Sequence, residues 1–377
     1  MNKRTLLFVV FLAVTAGLVY LANETYQGRS DDFAAQTGDV FLPELKDRVN
    51  DTAIIKVTTP EGPATLERKG DFWTVKERGG YLASQANVNR LLVGLSFLKT
   101  IEPKTSKPER YERIGLEEPG TDGSTGNLYV IEDGAGKVLS QIVVGDRKPA
   151  RANPNANEFY VRVPGNPQAW LVEGTLPISS DVVDWIDDAL FELDVHRVKR
   201  VVVAHGDGEV MDVARTPGVD EGFAIQNVPA GREVENPLLV RNVATGIMKF
   251  ILDDVSPESE APPIAKPDVT LTVTTYDGLE VKMTGVRAEE DFVHFQMRAS
   301  YLADSAQHAA PKGEPQFEGD HRIERLDEET VRAEIEKMNA AWGNWRFEVG
   351  KWRIATADKR VSDFLKAKPG EVTTGSN

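Results

Sequence analysis

Three short strand signals separated by two tight turns, followed by one amphipathic helix, occur in that order twice in this chain. The first passage opens with Ile54-Ile55-Lys56-Val57-Thr58, turns at Pro60-Glu61-Gly62 and returns from Ala64 to Arg68. It turns again at Lys69-Gly70-Asp71 and leaves through Phe72-Trp73-Thr74-Val75. Alternating apolar residues bounded by Gly, Pro and Asp specify a meander of antiparallel strands. Val88, Leu91, Leu92, Leu95 and Leu98 then fall at the 3, 4, 7 spacing of a core-facing helical stripe.

The second passage runs through Arg200 to Ala204, Gly206-Asp207-Gly208, Glu209 to Ala214 and Phe223-Ala224-Ile225. Asn236 and Pro237 then open a helix, with Val240, Val243, Ile247, Phe250 and Ile251 on its inner face. A sheet that must cover one face with a single helix is an α+β arrangement. The second passage reads as a divergent repeat of the first.

Four more strands are predicted between the passages, at Leu128–Glu132, Gln141–Val144, Phe159–Val163 and Trp170–Val172. Ser179 or Ser180 caps a predicted helix that carries Val182, Val183, Ile186, Leu190 and Leu193 inward, with Asp181 and Asp184 in its first turn. The prolines from Pro257 to Pro267 mark a linker or exposed loop. Strands follow at Val269–Val273, Val281–Thr284 and Phe292–Met297, and Asp304 to Asp320 lacks periodicity. A helix with Val331, Ile335, Met338 and Trp342 on one stripe then leads into a strand from Trp345 to Val349 and a short helical ending at Phe364-Leu365.

Ahead of all this, Lys3 and Arg4 precede an uncharged apolar run from Leu6 to Ala22, with Leu6, Leu7, Phe8, Val9, Val10, Phe11, Leu12, Leu18, Val19 and Leu21 as its membrane-facing set. At about 1.5 Å per residue such a run just spans a thin bilayer core, and it exceeds the apolar region of an ordinary cleavable signal. A cut after Ala22 would also put Tyr20 where cleavage needs a small residue. The run is predicted to be an uncleaved anchor, with Lys3 and Arg4 kept in the cytoplasm and everything after it exported. The predicted organisation is a transmembrane signal anchor over 1–24, a tether over 25–50, one α+β module over 51–196, a second over 197–368 and a disordered tail over 369–377.

Composition narrows the chemistry. The chain has no cysteine, which removes disulfides, thiolate metal sites and thiol catalysis, and a formal charge of −15 opposes nucleic-acid binding. His196, His205, His294, His308 and His321 show no zinc-binding spacing, and His205 reads simply as the neighbour of a hairpin turn. No phosphate loop ends in Gly-Lys-Ser/Thr, no Gly-x-Ser-x-Gly occurs, and Asn153 to Glu158 lacks the acidic spacing of a calcium loop. No cofactor or metal ligand and no catalytic residue is therefore predicted. Trp342, Trp345 and Trp352 form the candidate binding surface, although such rings more commonly anchor a core.

Residues Phe41 to Pro119 resemble the bacterial family catalogued as domain of unknown function 4340. The likeness lies in Leu42-Pro43-Glu44-Leu45 with Asn50, Leu66-Glu67-Arg68, Phe72 to Val75, Lys104 to Glu109 and Ile114 to Pro119. Tyr160-Val161-Arg162, Trp170-Leu171-Val172, Trp185-Ile186-Asp187 and the ending from Trp345 to Trp352 look similar too. Tyr81-Leu82-Ala83-Ser84 departs from the proline and aspartate usual there, which points to a different cap on the first helix. The resemblance implies a signal-anchored envelope protein of the kind often encoded beside gliding-type ABC transport systems, and it supplies no catalytic residue.

The expected protein is thus a non-enzymatic periplasmic accessory or scaffold. It is a single-pass protein of the inner membrane with an envelope or ABC-transporter partner. A binding module for a peptide, glycan or lipid is the second expectation, and a carboxylate-based envelope hydrolase the third.

Overall fold

The computed structural model describes residues 37–366, except 151–152, 178, 180, 218, 220–221, 289–290, 307–315, 319–320 and 324. The expected anchor and C-terminal tail lie outside the described residues. Among the described residues no helix is long and apolar enough to cross a membrane. The fold is mixed α+β, mostly antiparallel strands, and it divides into two compact units after Ile186.

The first unit begins with a short helix α1 (Pro43–Arg48) and the meander β1 (Thr52–Thr59), β2 (Gly62–Lys69), β3 (Phe72–Val75) and β4 (Tyr81–Leu82). Then come α2 (Gln85–Ser96), β5 (Lys99–Pro103), β6 (Asn127–Asp133), β7 (Val138–Pro149), β8 (Asn157–Arg162) and β9 (Ala169–Gly174). They form one antiparallel sheet in the order β4-β3-β2-β1-β6-β7-β8-β9-β5. Its core sets Val88, Leu91 and Leu95 of α2 beside the inward residues of the sheet, Ile55, Val57, Leu66 and Val75, all fully buried. Ser84 starts α2 by accepting from the Asn87 N–H.

The second unit contains β10 (Ala189–Glu192), β11 (Val198–His205), β12 (Val210–Arg215), β13 (Phe223–Ile225), α3 (Pro237–Thr245), β14 (Lys249–Ile251) and β15 (Asp254–Pro257). It continues with β16 (Val269–Thr275), β17 (Leu279–Arg287), β18 (Phe292–Tyr301), the hairpin β19 (Gln316–Glu318) and β20 (His321–Ile323), α4 (Glu328–Trp342), β21 (Trp345–Gly350) and α5 (Lys351–Ile354). The main sheet runs β13-β12-β11-β16-β17-β18-β21-β15. Without β4, the first sheet reads β3-β2-β1-β6-β7-β8-β9-β5, so the two orders coincide strand for strand.

The agreement extends to the ends of each unit. In the first, Phe41 N–H bonds Leu98 O, and a one-turn helix Val182–Trp185 leads to a bridge between Ile186 and Ala83, with Ser84 N–H bonding Trp185 O. In the second, Leu193 N–H bonds Met248 O, and the one-turn helix Val361–Phe364 leads to a bridge between Leu365 and Val234, with Glu235 N–H bonding Phe364 O. Both turns are closed by an aspartate at the same place. Asp184 accepts from Asp181 N–H, and Asp363 from Arg360 N–H.

Several expectations are corrected. The helix expected from Ser179 to Leu193 is one turn only, because Ala189–Glu192 pairs with β14 and its apolar residues serve a strand as well as they would a helix. That pairing puts residues 189–192 in the second unit, so the division falls after Ile186 and not after residue 196. The helix expected to carry Phe250 and Ile251 stops at Thr245, before Gly246, and those residues lie in β14. Residues 37–50 of the expected tether are part of the first unit, with Leu45 fully buried in α1. The proline stretch is pinned too, since Glu258 and the Pro262 carbonyl accept from buried Arg346.

What distinguishes the second unit is an insertion between β18 and β21. β21 pairs only with Phe292–Phe295 of β18, and beyond that point Asn339 of α4 takes over the strand edge. Its amide accepts from Ala299 N–H at 2.9 Å and donates to Ala299 O at 2.9 Å. Trp342, at the end of α4, enters the core edge-on to Phe191, which stacks on Phe250, which in turn meets Phe295.

Candidate functional site

The three tryptophans are not gathered on one surface. Trp342 is buried and donates its indole N–H to Leu190 O at 3.3 Å. Trp345 is half-buried opposite Pro257, while Trp352 is 69% exposed with the Arg353 guanidinium 4.2 Å from its ring. Of the three, Trp352 alone is exposed.

Among the described residues of the second unit, three larger recesses carry surface chemistry. The first is an apolar groove of about 500 Å³ between β13 and the start of α3, walled by Val219, Phe223, Ala224, Pro237, Leu238 and Arg241. Leu238 is 77% exposed and Val219 49%. The inward stripe of α3 uses Val240 and Val243, which leaves Leu238 and Leu239 pointing away from the core. Apolar residues left over from that stripe were the sequence signal for this groove.

The second lies where the β11–β12 hairpin meets the entry to β16 and the exit of β17. His205, Asp207, Lys266, Asp268, Arg287 and Arg360 surround a volume of about 320 Å³. His205 is buried, with Nδ1 3.7 Å from an Asp358 oxygen and Nε2 without a hydrogen-bond partner among the described residues. Arg287 grips Asp358 with two 2.8 Å bonds. Arg360 bonds Asp207 at 2.7 Å and also reaches Glu209. The Arg360 guanidinium, helped by the Glu209 N–H, holds the Asp207 carboxyl below the ordinary aspartate range, and the two carboxylates raise Arg360 in turn. This is a tied-down ion network, and Lys266 alone among its cations has no partner among the described residues.

The third is a polar recess of about 440 Å³ between β17, β18 and α4, lined by Lys282, Thr284, Gln296, Arg298 and Asn339. Lys282 and Arg298 stand directly opposite each other in the β17–β18 register, an arrangement of like charges that costs stability. Among the described residues, no group of three or more His, Asp or Glu side chains is placed to hold a metal ion.

Acid sensitivity follows from a related clamp at the kink between β14 and β15. Burial alone would raise Asp253, but Arg353, bonded at 2.9 Å, and Gly350 N–H outweigh it and lower the carboxyl. Asp207 is lowered as well. A carboxylate whose folded value lies below its unfolded one stabilises the fold above the unfolded value, and that contribution disappears as pH falls through the folded one. Thermal stability is therefore expected to decline on acidification through about pH 4 and below, and Asp253→Asn is expected to flatten that decline. Parallel melting curves of both proteins from neutral to acidic pH check this, and identical slopes would exclude Asp253 as a contributor.

A family model described as Domain of unknown function (DUF4340) matches residues 73–255. The match starts in β3 of the first unit and ends in β15 of the second, so it covers neither unit whole. No curated protein and no solved structure matches the chain.

Proposed function

We propose that this chain, whose residues 73–255 match the DUF4340 family, is a membrane-tethered accessory or scaffold protein that docks a partner on its second unit. The single observation carrying the reading is the groove beside β13, where Leu238 and Val219 stand exposed against apolar walls. Apolar surface concentrated beside a sheet edge is the ordinary mark of a protein contact. The apolar run from Leu6 to Ala22, read as an anchor in the inner membrane, supports a periplasmic setting. The family resemblance supports an envelope complex of ABC-transport type as the partner class. The shared strand order and the paired closing turns support reading the two units as copies of one ancestral module.

A photo-crosslinking residue in place of Leu238, used in intact membranes, is expected to capture one discrete partner, and one in place of Phe72 in the first unit is expected to leave that partner uncaptured. Recovery of the same products from both positions, or of none from Leu238, would refute the reading.

A second reading, a glycan-binding module, is favoured by the polar recess. Amide, hydroxyl, ammonium and guanidinium groups converge there around the apolar side chain of Met297. Calorimetric titration of envelope glycan fragments, with Arg298→Ala as the comparison, decides it, and equal heats from both proteins would discard it.

A further inference from the structure

The edge strand β13 borders a place that the first unit fills and the second leaves open. In the first unit, β3 occupies the equivalent position and its outer edge is fully engaged by its own chain. Tyr81 and Leu82 of β4 pair with Val75 and Thr74. The Trp73 carbonyl accepts from Ala83 N–H at 2.8 Å, and the Val75 carbonyl from Gly80 N–H at 2.9 Å. The first residue of α2 completes the arrangement, since the Gln85 amide accepts from Trp73 N–H at 2.9 Å and donates to Trp73 O at 3.1 Å.

In the second unit the register of β12 and β13 sets Arg215 opposite Phe223 and Val213 opposite Ile225. The flanking bonds Thr216 N–H to Gly222 O and Gln226 N–H to Asp212 O fix which residues exchange bonds with β12. By the alternation of an antiparallel ladder, Phe223 and Ile225 turn their N–H and C=O groups outward. Among the described residues no strand pairs with β13 on that side, and nothing bonds those groups. Pro237 stands where the first unit has Gln85, as the first residue of the helix after the cap, and it carries no side-chain amide. The apolar groove occupies the space between this edge and α3.

We propose that the partner contributes an extended strand, which adds antiparallel to β13 and sets a large apolar side chain in the groove, as β4 does in the first unit. This rests on the reading of the groove as the docking site and names what docks there. An outward row of alternating N–H and C=O groups is matched by a polypeptide strand, with its bonds giving affinity and the groove giving selectivity. A helix, which satisfies its own backbone, would leave the row unpaired.

A synthetic peptide copying Gly79–Ser84, the segment that fills the place in the first unit, is the probe, and the full-length chain in detergent is the target. Amide hydrogen exchange at Phe223 and Ile225 is expected to be fast without peptide and about tenfold slower with it. Leu238→Glu, at an exposed position where folding is untouched, is expected to abolish that slowing. Protection that Leu238→Glu leaves intact overturns the proposal. Protection already present in the free protein overturns it as well. If truncation after Lys366 releases that protection, the chain's own C-terminal segment is the occupant, and if dilution releases it, a second copy is. Should the peptide protect both amides while Leu238 crosslinks to nothing in membranes, the strand site stands and the scaffold reading falls. Should a partner crosslink at Leu238 while both amides stay unprotected in the complex, the scaffold reading stands and the strand falls.

Discussion

Replacing Asp277 by alanine is expected to destabilise the second unit by about 3–5 kcal/mol, the usual result of removing one partner from a buried ion pair. Asp277 is fully buried in the turn between β16 and β17 and bonds the Arg197 guanidinium at 3.0 Å. Arg197, itself mostly buried, also bonds Glu334 of α4 at 2.9 Å. Asp277 further accepts from Leu326 N–H at 2.9 Å, just ahead of α4, and from the Thr275 hydroxyl at 2.5 Å. Burial works against the charge on Arg197, and the two carboxylates more than compensate. One aspartate thus holds a strand entry, a turn and the approach to the inserted helix. Without it, a buried guanidinium keeps half its neutralisation, the Leu326 N–H loses its acceptor and the Thr275 hydroxyl is left with Leu279 O alone. Replacing Arg197, Asp277 and Glu334 together by apolar residues of similar volume is expected to cost less than the single change, because it strands no charge. Chemical denaturation of the two variants decides the matter, and a loss under about 1 kcal/mol for Asp277→Ala would mean that solvent reaches the network.

Trp185→Ala is expected to cost the first unit about 3–5 kcal/mol, the range for emptying a buried aromatic site. The ring is fully buried in the one-turn helix that closes the unit, and the backbone carbonyl of the same residue accepts from the N–H of Ser84, the cap of α2. Loss of the ring therefore leaves a cavity in the core, while the backbone carbonyl that Ser84 N–H bonds is kept. Phe364 holds the corresponding place in the second unit. Trp185→Phe is accordingly expected to retain most of the stability. Equal losses from Trp185→Phe and Trp185→Ala, measured by denaturant titration, would show that the site requires the indole itself.

Local signals carried the strands, turns and helix starts well, because alternation, Gly at turns and capping residues act over a few neighbours. The meander from Ile54 to Val75 and the Asn236 cap before Pro237 are examples. What escaped was decided by distant partners. Ala189–Glu192 becomes a strand because β14 lies beside it, and His205 is buried partly through Asp358, far along the chain. The closing turns share a pattern, Val182-x-Asp184-Trp185-Ile186 and Val361-x-Asp363-Phe364-Leu365, but five residues are too few to stand out until the bonds they make are known. The groove was half visible. Leu238 and Leu239 fell outside the inward stripe of their helix, while the open edge beside them depends on a strand the second unit lacks. The tryptophans part ways because ring size says nothing of direction: Trp342 faces inward and Trp352 stands exposed.

The insertion between β18 and β21 has a practical consequence for the first unit. A sheet of this order keeps its register with a hairpin and a long helix placed at that connection, because the two strands on either side still pair through Phe292–Phe295. The matching connection in the first unit is the short turn from Val163 to Gln168 between β8 and β9. A fluorescent reporter or an affinity handle grafted into that turn should leave the surrounding sheet assembled, which offers a way to follow the intact protein in living cells while both of its termini stay untouched.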